Sequence, residues 1–307
     1  MVTSETYLKT QQVADALGVS VSTIKRWVDA GAIEATRTMG KHRLVALSSA
    51  LRFARKEKLP TDSLLAMAGS APIAVIDDRL VEALADLLKA GKSKDAFTLM
   101  SSVYHSKQGA VGLSDLLIRP VMERIGHGWL VGSWDVYQEH QASQIVTSAI
   151  NELIRVRSHD SNPNQSLAIG AAPEGDNYTL SGLLCELVLR DLGWNVRNLG
   201  VNLPLRSLAS ATRDYRPKLI FLSASHIADR DRFLRGYSYF YEAASQVGSA
   251  IMLGGRGLDL ELRSNLVYAS FGDRMAHLAE FARRLLPATE ITFGANLSHQ
   301  SSMDISS

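Results

Sequence analysis

Residues 171–199 read AAPEGDNYTLSGLLCELVLRDLGWNVRNL, and the order of signals in this stretch decides the fold. The stretch opens inside a short apolar run, Leu167 to Ala172, that ends at Pro173, Gly175, Asp176 and Asn177, as a buried strand feeding a loop does. Leu180, Leu183, Leu184, Leu187, Val188 and Leu192 then recur at helical spacing until Gly193 stops the helix. Trp194 to Gly200 follows as a second strand. Strand, loop, helix and strand within about forty residues make one βαβ unit, the seed of a parallel sheet.

Working outward toward the C-terminus, Lys218–Ala224 and Ala250–Gly255 predict further strands, and Val267–Ser270 a short last one. Helices are expected around Leu205–Asp214, Asp229–Gln246 and Asp273–Leu286. The result is a doubly wound, flavodoxin-like parallel sheet over residues 161–287. Ligands of such sheets lie outside the carboxyl ends of the strands, here Pro173–Leu180, Gly200–Pro204, Ser223–His226 and Gly254–Gly257. The polar tail, 288–307, lacks core-forming periodicity and is expected to be disordered.

Toward the N-terminus, residues 77–160 carry a helical pattern throughout. Its apolar repeats are Leu80 to Leu88, Ala96 to Tyr104, Leu113 to Trp129 and Asp135 to Arg157, punctuated by glycines. Four helices with short connections predict a four-helix bundle. Residues 61–76, which follow Pro60 and contain Gly69 and Pro72, read as a linker.

Residues 1–60 begin with a short helix that Thr10 is placed to cap, then a turn at Gly18, then a second helix from Val21 to Ala30 behind Ser20. That is a helix-turn-helix, with Ala14, Leu17, Val19, Ile24 and Trp27 as its expected core. Ser22, Thr23, Lys25 and Arg26 are the candidate groove-facing residues. A hairpin over Ala32–Val45 would form a wing carrying Arg37, Lys41, His42 and Arg43, and a helix around Ser48–Glu57 would close the domain. The segment is similar to the DNA-binding domains of MerR and excisionase-like proteins, which implies double-stranded DNA as partner.

Charge supports a local basic surface and excludes a global one. The 307 residues carry 33 basic and 31 acidic side chains, so a formal net charge of +2 leaves no chain-wide attraction to polyanions. Residues 23–58 concentrate ten of the cationic or histidine side chains against Asp29, Glu34 and Glu57. The lone cysteine, Cys185, sits on the apolar side of its helix and reads as a structural thiol. No signal-peptide core and no run of about 18 apolar residues is present, so a cytoplasmic protein without a membrane partner is expected.

With these residues in hand, the C-terminal part resembles the cobalamin-binding domain of light-sensing repressors of the CarH/LitR type. The family's first loop carries an acidic residue, any residue, a cobalt-ligating His, two more residues, then Gly. The matching positions are Asp176, Asn177, Tyr178, Thr179, Leu180 and Ser181, with the glycine displaced by one to Gly182. Tyr178 therefore stands where the lower imidazole belongs, and a phenol titrating at about pH 10 is a poor cobalt ligand. The family's bundle carries a Trp followed some nine residues on by a Glu-His pair; Trp134, Glu139 and His140 resemble them at closer spacing. The residue after that Trp, an upper ligand in the photoreceptors, is Asp135. Ser223, Ser225, Gly254 and Gly255 resemble the strand ends that cradle the nucleotide tail. Each set has a plainer reading: a packing anchor and a solvated helix end for the first, tight sheet turns for the second.

The expectation is a sequence-specific DNA-binding transcriptional regulator, not an enzyme. Its C-terminal module senses a ligand or drives homo-oligomerisation, without His-ligated cobalamin or light dependence. A corrinoid or another tetrapyrrole stays open as ligand, with weak or absent cobalamin binding and no metal site. A corrinoid carrier or methyltransferase-type subunit and a ligand-free interaction adaptor are the alternatives.

Overall fold

The computed structural model describes residues 7–37, 43–57, 59, 64, 76–157 and 165–286. The chain divides into two compact units, Met1–Asp78 with Lys92–Gly109, and Arg79–Gly91 with Ala110–Ser307.

The first unit opens with β1 (Tyr7–Lys9), α1 (Thr10–Leu17), α2 (Val21–Asp29), β2 (Ala35–Arg37), β3 (Arg43–Ala46) and α3 (Leu47–Lys56). Helix α1 starts one residue earlier than the expected Thr10 cap: Lys9 is the extended cap residue, and Gln12 Oε1 accepts its N–H at 2.8 Å. Gly18 ends the helix at φ 66°, the left-handed conformation that glycine adopts at least cost. The hairpin of β2 and β3 forms as expected and is antiparallel. It gains a third strand, β1, which pairs with the other edge of β3 and buries Leu8. Val13, Ala14, Leu17, Ile24, Ile33 and Val45 fill the core, with Val19 and Trp27 packed against it half-buried. The Trp27 and Phe53 rings lie 4.7 Å apart and tie α2 to α3.

Helices α4 (Asp78–Lys89) and α5 (Ser93–Tyr104) follow, the latter in the first unit. A single helical rod then runs through α6 (Gly109–Gly112), a π-helical turn (Leu113–Ile118) and α7 (Arg119–Leu130), and α8 (Val136–Arg157) completes the four expected helices. The π turn has a cause in the sequence. Pro120 has no N–H to give and its ring crowds the carbonyl one turn back, so an ordinary α-turn there would be strained. Widening relieves this: Arg119 N–H bonds to Ser114 O, five residues back.

The sheet is parallel in the order β5-β4-β6-β7-β8, built from β4 (Leu167–Ala171), β5 (Asn195–Asn198), β6 (Leu219–Ser223), β7 (Ala250–Gly254) and β8 (Ser270–Phe271). Between them run α9 (Thr179–Asp191), α10 (Leu205–Tyr215), α11 (Arg230–Val247) and the short α12 (Leu260–Ser264), and α13 (Met275–Leu285) ends the fold. The central strands β4, β6 and β7 are apolar on both faces because helices cover both. Ile169, Ile220, Leu222, Ile251 and Leu253 face α10 and α11, whereas Ala168, Leu219, Phe221 and Met252 face α9 and α13. Gly170 is glycine because Phe221 lies across it: a Cβ there would sit 2.0 Å from the ring.

Within the second unit, α8 packs on α9, and the π turn holds α13. Asp115 accepts Met275 N–H at 2.8 Å and Ala276 N–H at 2.9 Å, capping the first turn of a helix 160 residues away. Among the described residues, no helix is long and apolar enough to cross a membrane.

Candidate functional site

Helix α2 is built to present one polar face. Ser20 caps it, Oγ accepting Thr23 N–H at 3.2 Å and sharing hydrogen bonds with the Ser22 and Thr23 hydroxyls at 2.7 and 2.9 Å. Ile24, Trp27 and Val28 turn inward, which leaves Ser22, Lys25, Arg26 and Asp29 exposed at helical spacing, with Thr23 half-buried beside them. Asp29 is the one acid on that face of the helix. Arg43, from the wing strand β3, reaches it at 2.5 Å and offsets its charge. Arg43 is thus a counter-ion to the exposed face of α2 as well as a residue of the hairpin. Arg37 belongs to β2. Lys41 and His42 lie outside the described residues.

At the carboxyl edge of the sheet, Asp176 is the centre of the arrangement. It is 1% exposed, and its carboxylate accepts three backbone N–H groups. Oδ1 takes Tyr178 at 2.9 Å, and Oδ2 takes Ser225 at 2.6 Å and His226 at 3.2 Å. Its own carbonyl accepts Asn202 N–H at 2.9 Å, while Asn202 Oδ1 accepts Gly175 N–H at 2.8 Å. The loops after β4, β5 and β6 are therefore stitched together through one residue. Tyr178 caps α9 with its backbone and is 64% exposed, so its ring does not fill the loop.

One helical step further on, Ser181 and the buried Ser223 share a hydrogen bond of 2.9 Å between α9 and the end of β6. Below them, Cys185 Sγ donates toward Met275 Sδ at 3.8 Å, and Cys185, Phe221, Met252 and Leu278 close a continuous core between α9, the sheet and α13. Burial pushes the Cys185 thiol up to about 12, with the Asp115 charge adding to it. The glycines of the next loop are required by the packing of the chain. A Cβ on Gly255 would lie 2.2 Å from Ala224 O, and one on Gly254 2.8 Å from Gly272 O.

On the helical side, Trp134 is buried against Gly128, where any Cβ would meet its ring at 2.4 Å. Lys89 lies over the indole at 5.4 Å and donates to Ser133 O at 2.8 Å. A cavity of about 420 Å³ opens beside them, lined by Ala85, Asp86, Lys89, Arg124, His127, Gly128, Ser133 and Trp134. Glu139 and His140 do not line it; they pair with each other at 3.5 Å on the surface of α8. Trp134 packs on the α7–α8 turn and also lines the cavity. Trp129 precedes Glu139 by ten residues, closer to the spacing of the resemblance than Trp134, and it is 50% exposed. The residue after it is Leu130, so this register also places no histidine at the upper position.

Residues 7–58 match the family described as Helix-turn-helix domain, and residues 71–154 match the B12 binding domain. The chain joins a helix-turn-helix domain to a cobalamin-binding-like module. No curated protein matches it. Among solved structures it is similar to the monomethylamine corrinoid protein of Methanosarcina barkeri, at 15% identity over 68% of this chain and 99% of that chain, TM-score 0.55. Weaker likenesses are the methanol:cobalamin methyltransferase complex MtaBC of the same organism (16% identity, 73% and 86% covered, TM-score 0.35) and a cobalamin-binding protein from Desulfitobacterium hafniense DCB-2 (15%, 69% and 100%, 0.37). The first of these shows the fold and no more.

The residues at the sheet edge do not fit a histidine-ligated corrin. Tyr178 offers no imidazole, Asp176 has its acceptors occupied by backbone, and the glycine position of the motif carries the Ser181 side chain. Among the described residues, no group of three or more His, Cys, Asp or Glu side chains is placed to hold a metal ion.

Proposed function

We propose that the protein is a sequence-specific DNA-binding transcriptional regulator, acting without catalysis, whose cobalamin-binding-like module supplies self-association. The observation that carries the reading is the exposed face of α2, where Lys25 and Arg26 project from a capped helix and the acid on that face, Asp29, is neutralised by Arg43. Such a face offers cations to phosphates and hydroxyl or guanidinium groups to base edges in a major groove. One short helix and a small wing cover little DNA, so a stable complex gains from two or more copies held together. A corrinoid carrier would have no use for the α2 face.

Electrophoretic mobility shift with the protein's own upstream DNA tests this reading. Specific binding is expected to survive competitor DNA. Arg26→Ala should weaken it and lower the slope of log affinity against log salt by about one if Arg26 neutralises a phosphate. Equal affinity for upstream and random DNA in the wild type would overturn sequence specificity.

A further inference from the structure

We infer that the groove at the sheet edge that would take a corrinoid's nucleotide tail is closed by the chain's own side chains, and that Ser181 is the residue that shuts it. The inference rests on reading this half as a cobalamin-binding-like module. Ligands of an open parallel sheet sit in the crevice outside the carboxyl ends of its strands at the switch in strand order, and here that crevice lies between the ends of β4 and β6 beside the start of α9. That crevice is spanned by the bond of 2.9 Å between Ser181 Oγ and Ser223 Oγ. Glycine at Ser181 would remove both the Cβ and the hydroxyl that make the bridge. The neighbouring Gly182 is no substitute, because it faces the Asn198 side chain, where an added Cβ would lie 3.4 Å from Nδ2.

Three further contacts keep the crevice shut. Cys185 and Met275 meet one turn along α9 from Ser181 and join α9 to α13 beneath the bridge. Phe221 lies over Gly170 and fills the floor. Asp176 binds the loops after β4 and β6 to each other, so that the rim cannot part without stranding a buried carboxylate. A module held in this way keeps its shape with no ligand, and the loops a cofactor would organise are organised by Asp176.

The test is direct binding of hydroxocobalamin to the full chain, read by co-elution in gel filtration and by the visible absorption band, with DNA binding measured in parallel. Wild type should elute without corrin. Tyr178→His alone should also elute without it, because the ligand is restored while the groove stays shut. Tyr178→His combined with Ser181→Gly should bind at least about tenfold tighter than Tyr178→His, with the band shift of an imidazole-ligated cobalt. Tyr178→His with Ser223→Ala removes the same bridge from the strand side and should behave alike. Stoichiometric corrin on the wild type, or tight binding by Tyr178→His alone, would overturn the inference. So would the absence of corrin from both double variants when their circular dichroism and DNA binding match wild type. Loss of DNA binding in wild type with corrin results as expected would count against the regulator reading alone.

Discussion

Replacing Asp176 removes the one side chain that joins three loops, and the size of the effect follows from its contacts. Hydrogen bonds to a charged group contribute about 1.5–3 kcal/mol each, and three on one carboxylate fall short of additivity. Asp176→Ala should then cost about 3–5 kcal/mol, since it strands the Tyr178, Ser225 and His226 N–H groups in a site that is 1% exposed. For a unit of this size each kcal/mol moves the midpoint by about 2–4 °C, so a fall of about 10 °C is expected in a thermal melt followed by circular dichroism. Asp176→Asn keeps one oxygen, which can serve Ser225 and His226 while Tyr178 N–H is left facing an amide. Its loss should be under half that of the alanine variant. Glu174→Ala is the control from the same loop: its pair with Arg232 at 2.6 Å is solvent-exposed and worth about 0–1 kcal/mol. An Asp176→Ala midpoint no lower than that of Glu174→Ala would refute the role given to Asp176.

Gly255→Ala should destabilise far more than Gly248→Ala, although both have positive φ, because only the former drives a Cβ to 2.2 Å from backbone; urea midpoints would show it. The raised Cys185 pKa stabilises the fold fully below the ordinary thiol value near 9 and is lost as pH rises toward about 12. Stability measured by urea should therefore fall over that window, and less steeply in Cys185→Ala; a neutral-pH maleimide reaction of the folded protein as fast as that of free cysteine would contradict the burial. Arg43→Ala should weaken operator binding by exposing the Asp29 charge, and Asp29→Ala in the same chain should recover most of it. A double variant as weak as Arg43→Ala alone would mean that Arg43 touches DNA itself.

The sheet was legible in the sequence because its signals are local and redundant. Apolar strand runs alternate with helices, of which α9 and α11 end at Gly193 and Gly248, and four of the five strands lie within two residues of where the pattern places them. Strand β1 was not legible, since three residues with one buried leucine carry no periodicity, and Thr10 reads as a better cap than the Lys9 backbone that serves. The π turn has only one signal in the sequence, Pro120 inside an apolar helical repeat, and that signal fits a kink as well as a widened turn.

The candidate site residues were legible by position on their elements and less so by partner. Ser22, Lys25 and Arg26 share an exposed face because the 3.6-residue period places them there. That Arg43 would bridge back to Asp29 depends on how the wing folds over α2, fourteen residues away, and no spacing encodes it. The same limit applies at the sheet edge. The motif positions show Tyr178 in place of a ligand, yet the sequence cannot say that Tyr178 is exposed while Asp176 turns inward to take N–H groups from a loop some fifty residues on. Glycines are the sharpest case, because Gly255 reads equally as room for a ligand or room for Ala224. The 2.2 Å approach of its absent Cβ to a backbone oxygen supplies what the sequence lacks, because it shows that the chain itself requires glycine at this position whatever lies beyond the loop.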